Sequence, residues 1–497
     1  MIVYISLIFI AFFLAFRYVK SLQINFRNPW VTPIAYAFKV LIGFSFIYIY
    51  TEVYGDGHLS ADAGAFMNES ASLNQVFYDS PINYLRLLVD NGDTELSTHQ
   101  YLGETSHWGS GAQAIISENR NIMRVHSLIH FFSFGNAIVH LLVMCFLSLL
   151  GLKYLFEVLK EKTQLNPTYL FLILLIFPSL LFWSSSILKE PIVLLGMGLF
   201  VRGILGKEPL KKRWIIGVSG ALILLAFKSY ILIAIAPAFT FYWLYKLMPG
   251  YKIIFSLSLL SLIVLGSVLV FPSERDHVVH LFSRKQFDFK NVGQGGLHAH
   301  TDSCFYFFEG DQLDELKIEG DFVSIEKEIS AYRVQLGAMD KPIPIVLKPT
   351  GKKWPIYFQN RRSDGYIEMT MIDDSYSQMI KNIPEALQNS LIRPFPNDPG
   401  SGIKYIAIVE MILLYLLFIY AIIKRHKINN QGWAIIVSIS IFVLSLALII
   451  GWITPVLGAI VRYRTPAFLG ILIISMLMIR GPKKQGINNS FLHRYLK

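Results

Sequence analysis

Two arginines stand two residues apart in GAIVRYRTPAF, and a lysine sits beside a glutamate in FPSLLFWSSSILKEPIVLLG. Arg462 and Arg464 precede Pro466, and in extended backbone residues two apart project to one face. Two guanidiniums so placed would take the oxygens of one phosphate bidentately. Lys189, next to Glu190 and ahead of Pro191, is presented by a turn between apolar stretches. It reads either as a phosphate-binding cation or as half of a Lys–Glu pair. Lys228 in AFKSY and Arg393 in LIRPFP extend the set of phosphate contacts. The acids come earlier: YGDGHLSADAGAFMNES carries Asp56, His58, Asp62 and Glu69, and Asp62 and Glu69 would share a helix face at two turns. A carboxylate in such a place can take a proton from a hydroxyl, and cations can neutralise a departing phosphate.

Other polar groups have more than one reading. Asp56-x-His58-x3-Asp62 has metal-ligand residue types, but its spacing fits no strong metal pattern. A divalent ion is compatible with it, and no metal site or cofactor is assigned. ETSHWGSGAQAIISENRNIMRVHSLIHFFS holds His107, Trp108, Glu118, Arg120 and Arg124. Trp and His near a bilayer boundary commonly form an interfacial belt; the alternative is a sugar platform, an aromatic face for a pyranose with polar groups for its hydroxyls. HAHTD sets His298, His300 and Asp302 on one strand face, which without a fourth ligand reads as a polar face.

The elements that must position these residues are membrane helices. Of 497 residues only 16% are charged, against about 25% in an ordinary soluble domain. The apolar set reaches 54%, so the chain lacks the charge to coat soluble domains. Eleven windows are apolar and near spanning length: 2–19, 31–50, 128–152, 167–186, 191–206, 214–230, 231–247, 252–271, 403–423, 433–452 and 465–480. The first has no preceding positive residue and no small-residue cleavage site, and is read as a retained span. The net charge of +11 is unevenly distributed. Residues 51–123 carry ten acids and two bases. Lysines and arginines cluster at Arg17/Lys20/Arg27, Lys153/Lys160/Lys162, Arg202 to Arg213, Lys246/Lys252, Lys424/Arg425/Lys427 and Arg480 to Lys497. Threading eleven spans sets these clusters on one side, so the positive-inside rule predicts the amino terminus outside and the carboxyl terminus inside. The excess charge then reports topology, not a nucleic-acid partner. Cys145 falls in a span and Cys304 in an outer region, which excludes a disulfide framework.

The expected organisation is an α-helical polytopic membrane protein. Residues 1–50 form two spans, and 51–127 an extracytoplasmic loop with the candidate acids. Residues 128–271 form spans three to eight, and 272–402 a small β-rich extracytoplasmic domain. Residues 403–497 form the last three spans and a cytoplasmic tail. The strands of the outer domain are expected in DSCFYFFEG, KIEGDFVSI, KPIPIVLK, KWPIYFQN and GYIEMTMI.

An outer first loop with acids, many spans and an RYR-x-P element before the last span resembles the C-type glycosyltransferase superfamily of envelope enzymes. DAGAF, ETSHW, ENRNIMRVHSLI, FPSLLFWSSSILKEP, LIRPFP and VRYRTP are similar to a related group of uncharacterised bacterial multi-spanning proteins. The resemblance implies an enzyme of the bacterial cytoplasmic membrane with its active face outside. It implies a polyprenyl-phosphate-linked sugar donor lying among membrane lipid, and a glycan, lipid or protein acceptor. The base is an acid of the first outer loop, best matched by Asp62 and then Asp56, and Arg462, Arg464 and Lys189 match the phosphate-binding cations. The chain departs from the superfamily in its additional first span and in lacking an Asp-Glu pair or Asp-x-Asp in that loop. Two other enzymes, an O-antigen or capsule-type polymerase and a ligase, would use the same cations. A polysaccharide transporter would want polar residues through the midplane and two related halves, and a non-enzymatic assembly component would use 272–402 as a binding module.

Overall fold

A computed structural model describes residues 1–89, 100–103, 105, 108, 117–248, 252–301, 304–335 and 342–480. Thirteen helices come first: α1 (Ile2–Tyr18), α2 (Val31–Tyr48), α3 (Ala61–Asp79), α4 (Pro81–Leu88), α5 (Glu118–Ser133), α6 (Ala137–Lys162), α7 (Pro167–Ile176), α8 (Pro178–Trp183), α9 (Glu190–Leu205), α10 (Leu210–Phe227), α11 (Ser229–Leu247), α12 (Lys252–Val270) and α13 (Pro272–Gln294). Seven strands follow: β1 (Gly296–His300), β2 (Phe305–Glu309), β3 (Leu316–Glu319), β4 (Phe322–Ile325), β5 (Ile329–Val334), β6 (Ile343–Leu347) and β7 (Trp354–Asn360). The chain then returns to helix in α14 (Tyr376–Lys381), α15 (Ile383–Leu387), α16 (Lys404–Ile423), α17 (Asn430–Ile453), α18 (Leu457–Tyr463) and α19 (Thr465–Met478).

Among the described residues, six helical segments are long and apolar enough to cross a bilayer: Val31–Val53, Ala137–Lys162, Ser229–Leu247, Lys252–Val270, Lys404–Ile423 and Asn430–Ile453. α18 and α19, bent by 45° at Arg464, make a seventh if they form one broken span. Lys252–Val270 has a mean hydropathy of 2.7 and only 6% of its apolar window buried. A helix apolar all round and uncovered by protein belongs in lipid. The length and exposed apolar surface of these segments mark an integral membrane protein. Five of the expected windows resolve differently. The 2–19 and 191–206 windows form helices of 17 and 16 residues, which fall outside those six segments. The 128–152 window is interrupted where Phe134 and Gly135 take left-handed φ of 53° and 77°, and Asn136 caps α6 by accepting from Ile138 N. The 167–186 window breaks at Pro178 into two short helices. The 214–230 window becomes α10, whose first turn carries the charged Lys211, Lys212 and Arg213.

The chain divides into two compact units. The first comprises Met1–Ala236, Leu416–Ile436 and Ile471–Lys497. Its α9 packs against both α6 and α10, and glycines permit the close approach. A Cβ at Gly151 would lie 2.5 Å from the Leu194 carbonyl carbon, and one at Gly203 would strike the Gly217 backbone. Small residues let helix backbones approach closely in lipid, where van der Waals contact is a main driving term.

The second unit comprises Pro237–Tyr415 and Val437–Gly470. It holds a seven-stranded antiparallel sheet in the order β3-β4-β7-β1-β2-β5-β6. One apolar cluster, including Leu297, Phe308, Val323, Ile329, Ala331 and Trp354, draws on β1, β2, β4, β5 and β7. The sheet therefore curls around a core of its own, within the segment expected to be β-rich. On the other face Phe287 of α13 meets Phe307 and Tyr332 edge-on, with centroids 6.3 and 5.1 Å away. GYIEMTMI forms no ladder: Tyr366 makes only an isolated bridge with Val456, and Ile372 joins Val279 and Met379 in a small satellite core. β5, ISAYRV, is a strand that the alternation in the sequence did not bring out.

Candidate functional site

In the first unit, a π-helical turn at Ile49–Val53 carries the chain out of α2. Asp56 and Gly57 follow with left-handed φ of 46° and 86°, and both Asp56 and His58 are exposed. Ser60 then ties the loop back, its N and Oγ donating to Tyr50 O at 3.0 and 2.7 Å. α3 starts one residue later, which puts Asp62 in its first turn, where the helix dipole favours a negative charge. Asp62 is half-buried, whereas Phe66 and Glu69 are buried. Spacings of four and three residues set these three on one helix face, and Asp56 lies outside it.

The cations of this unit arrive at helix junctions. Lys189 stands at the N-cap of α9, and Nζ donates to Asn119 Oδ1 at 2.5 Å. Glu118 Oε2 is 3.8 Å from the same ammonium, which lies 5.6 Å from the centroid of the Phe66 ring. The neighbouring Glu190, which the sequence offered as one possible partner of Lys189, makes a long-range pair. Glu190 Oε1 lies 2.7 Å from Nζ of Lys228, at the α10–α11 junction, with both side chains at most 10% exposed. Glu118 Oε1 in turn accepts from Ser229 N and Oγ at 2.7 and 2.8 Å, fixing the start of α11. Glu118, named in the sequence among the polar groups of its stretch but given no role, and Asn119, not named there, are therefore members of this constellation. Their only signal was an N-terminal position on α5, next to Arg120.

Trp108 is fully buried. Arg120 and Arg124 lie 4.8 and 5.2 Å from its ring centroid, so the ring is packed by two guanidiniums instead of being open to a sugar. Arg120 Nη2 donates to Trp108 O at 3.3 Å, while Arg124 donates to Leu87 O and to Asn121 Oδ1. Arg124 is thus buried and held by the interior. His107 and Asp302 lie outside the described residues. Lys39 is buried and donates to Ser184 Oγ at 2.7 Å.

A histidine network, also missed in the sequence, lies between α5 and α6. His126 Nε2 faces Ile187 O at 2.8 Å, and its Nδ1 faces His140 Nδ1 at 2.8 Å. A carbonyl only accepts, so for neutral rings His126 carries its proton on Nε2 and His140 on Nδ1. His140 Nε2 then accepts from Ser133 Oγ at 2.8 Å. His130 completes the group, its Nε2 3.0 Å from Ser70 Oγ. Each of these three rings is oriented by a partner.

The second unit holds the other predicted cations. α18 is helical through Tyr463, and Arg464 is αR at φ −76° and ψ −9°. Residues two apart on a helix diverge by about 200°, so Arg462 and Arg464 do not converge as extended backbone would have them. Arg462 Nη2 donates to Tyr463 OH at 3.2 Å. Arg464 is buried, stacks at 4.2 Å over Phe468, and donates through Nη1 to Ser390 O and Arg393 O. Its Nε and Nη2 have no hydrogen-bond partner among the described residues, and the nearby acid is buried Glu410. The guanidinium of Arg393 is taken by Asp398 at 2.9 Å, whose other oxygen accepts from Phe395 N. Arg393 thus reaches Arg464 through its carbonyl, not its charge.

Among the described residues no group of three or more His, Cys, Asp or Glu is placed to hold a metal ion. His298 packs between Phe307 and Phe358, with centroids at 4.6 and 5.6 Å. Burial, with Arg284 adding to it, lowers its pKa to about 4. His300 is exposed on the same strand and meets Phe305 edge-on. No family model, curated protein or solved structure matches the chain.

Proposed function

We propose that the chain is a membrane glycosyltransferase of the bacterial cytoplasmic membrane. In this reading it moves a sugar from a polyprenyl-phosphate-linked donor to a glycan, lipid or protein acceptor on the extracytoplasmic side. The observation that carries it is the meeting of acid and base around one helix face: Asp62, Phe66 and Glu69 on α3, with the Lys189 ammonium 5.6 Å from the Phe66 ring. Asp62 is the base, since Asp56 sits exposed in a turn off that face. Asp62 takes the proton of the acceptor hydroxyl as its oxygen attacks the anomeric carbon. The anomeric C–O bond to phosphate breaks, and Lys189 stabilises the charge left on the departing phosphate oxygen. Lys228 and Glu190 hold the junction behind it, and Arg464, Arg462 and Arg393 remain candidate phosphate contacts in the second unit. The reading includes eleven spans, with the amino terminus outside and the carboxyl terminus inside.

Reconstituted protein supplied with polyprenyl-phosphate-linked sugars tests the assignment, with release of polyprenyl phosphate as the readout. Asp62→Asn is expected to lose at least about 100-fold in turnover, the usual worth of a general base, and Asp56→Asn to stay within a few-fold of wild type. Full activity in Asp62→Asn removes the assigned base.

A further inference from the structure

The strands of the second unit, with the segment between β6 and β7, open a cup that the transfer chemistry does not use. Its volume is about 560 Å3, and it is lined by Thr301, Cys304, Tyr306, Arg333, Val346, Leu347, Lys348, Thr350, Lys352 and Trp354. That volume is within the range of small-ligand pockets. Register explains the gathering. Ala299 pairs with Tyr306, and Tyr306 with Arg333, so β1, β2 and β5 carry the rows of the core face out to the rim. The core face thus ends in polar residues instead of closing over itself.

Three of the ten lining residues are cations and none is acidic. The side chains of Arg333 and Lys348 are exposed and make no ion pair or hydrogen bond with the described residues. Other lysines of the same sheet are matched: Lys317 with Glu319 and Glu326 at 3.4 Å, Lys327 with Glu315 at 3.3 Å, and Lys353 with Glu319 at 2.5 Å. Charge is neutralised around the cup, while inside it the side chains of Arg333 and Lys348 are left open among the described residues. A cationic concavity concentrates anions, and a guanidinium takes a carboxylate or phosphate through two parallel hydrogen bonds. Thr301 and Thr350 add hydroxyls, and Tyr306 and Trp354, edge-on with centroids 5.5 Å apart, add an aromatic wall. Hydroxyls, aromatic carbon and the exposed cations Arg333 and Lys348 together suit a chain of sugars bearing negative charge.

We infer that this cup binds an acidic saccharide, with Arg333 and Lys348 on its carboxylates or phosphates, Thr301 and Thr350 on its hydroxyls, and Tyr306 along a ring face. The inference concerns binding alone and is independent of whether the first unit transfers a sugar.

The test uses the purified full-length protein in detergent and a titration by calorimetry with a tetragalacturonate. A neutral tetrasaccharide, inorganic phosphate and vesicles containing phosphatidylglycerol are run alongside. Tetragalacturonate is expected to bind, more weakly as salt rises, with a loss of at least tenfold in the double variant Arg333→Ala/Lys348→Ala. Both positions are exposed, and unchanged elution on size exclusion confirms that the variant is folded. Lys353→Ala, which removes a paired lysine outside the cup, is expected to bind as wild type does. No binding by the wild-type protein, equal binding of the neutral tetrasaccharide, or undiminished affinity in the double variant overturns the inference. Binding to phosphate or to the anionic vesicles without the tetragalacturonate overturns it as well, assigning the cup to a simple anion or a lipid surface.

Discussion

Lys228 and Glu190 form a buried pair that can be read as structural or as part of phosphate binding, and the two roles separate by experiment. Nζ and Oε1 are 2.7 Å apart with at most 10% of either side chain exposed. Removing one partner of such a pair leaves the other charge buried, at a cost of about 3–5 kcal/mol, whereas removing both is close to neutral. Lys228→Met is therefore expected to lower the melting temperature in detergent sharply, and Lys228→Met/Glu190→Gln to restore most of it. Transfer activity is the second readout. A double variant that is stable but inactive assigns Lys228 to the donor phosphate. One that is stable and active leaves it a strut between α9 and the α10–α11 junction. The pairing spans 38 residues, which is why the sequence pointed to Lys189 as the partner of Glu190. Adjacency was visible and the long-range contact was not.

Strand β1 sets a titratable ring where protonation works against the fold. The His298 imidazole lies between two phenyl rings, and burial holds it at about 4, below its ordinary value of 6.5. The folded sheet thus favours the neutral ring, while the unfolded chain takes up a proton as pH falls through 6.5. The associated stability is complete above that value and is lost as pH drops toward 4, with about 2 kcal/mol gone between pH 7 and pH 5. Hydrogen-exchange protection factors over 296–300 and 305–309 are expected to fall by that measure in the wild type and to stay level in His298→Phe. An unchanged slope in the variant places the pH dependence elsewhere. Element by element, the sequence was readable where short runs rich in aromatic residues lie between turn residues and pair with a neighbouring strand, as in Phe305–Glu309 and Trp354–Asn360. GYIEMTMI alternates equally well, but its Ile372 is spent on a satellite core with α13 and α14, and no strand lies beside it. VRYRTP was legible as cationic and misleading in geometry. Pro466 restricts Thr465 alone, so Arg464 is free to continue the α18 helix and turns away from Arg462. The candidate acids of α3 kept their expected spacing because Asp62 to Glu69 lies within a single helix.

At the scale of the molecule, the positive clusters and the candidate site occupy opposite ends of the same helices in the first unit. α9 begins at the site with Lys189 and Glu190 and ends at Arg202, while α10 begins at Lys211–Arg213 and ends at Lys228. The clustered end is knit together. Lys153 Nζ donates to Ser21 O in the loop after α1, Arg202 pairs with Glu157 at 2.8 Å, and Lys207 with Glu161 at 3.2 Å. Three clusters far apart in sequence thus meet at one end of the unit, the end that the positive-inside rule predicts to face the cytoplasm. Right-side-out membrane vesicles decide it. In a Cys304→Ser background, which leaves the buried Cys145 as the sole native thiol, a membrane-impermeant maleimide is expected to label Asp56→Cys and Thr350→Cys at once. Lys211→Cys is expected to react only after detergent opens the vesicles. Labelling of Lys211→Cys from outside with Asp56→Cys protected inverts the orientation, and with it the extracytoplasmic placement of the proposed transfer. Labelling of Asp56→Cys without Thr350→Cys keeps the first unit as assigned and changes the parity of spans between residues 211 and 350.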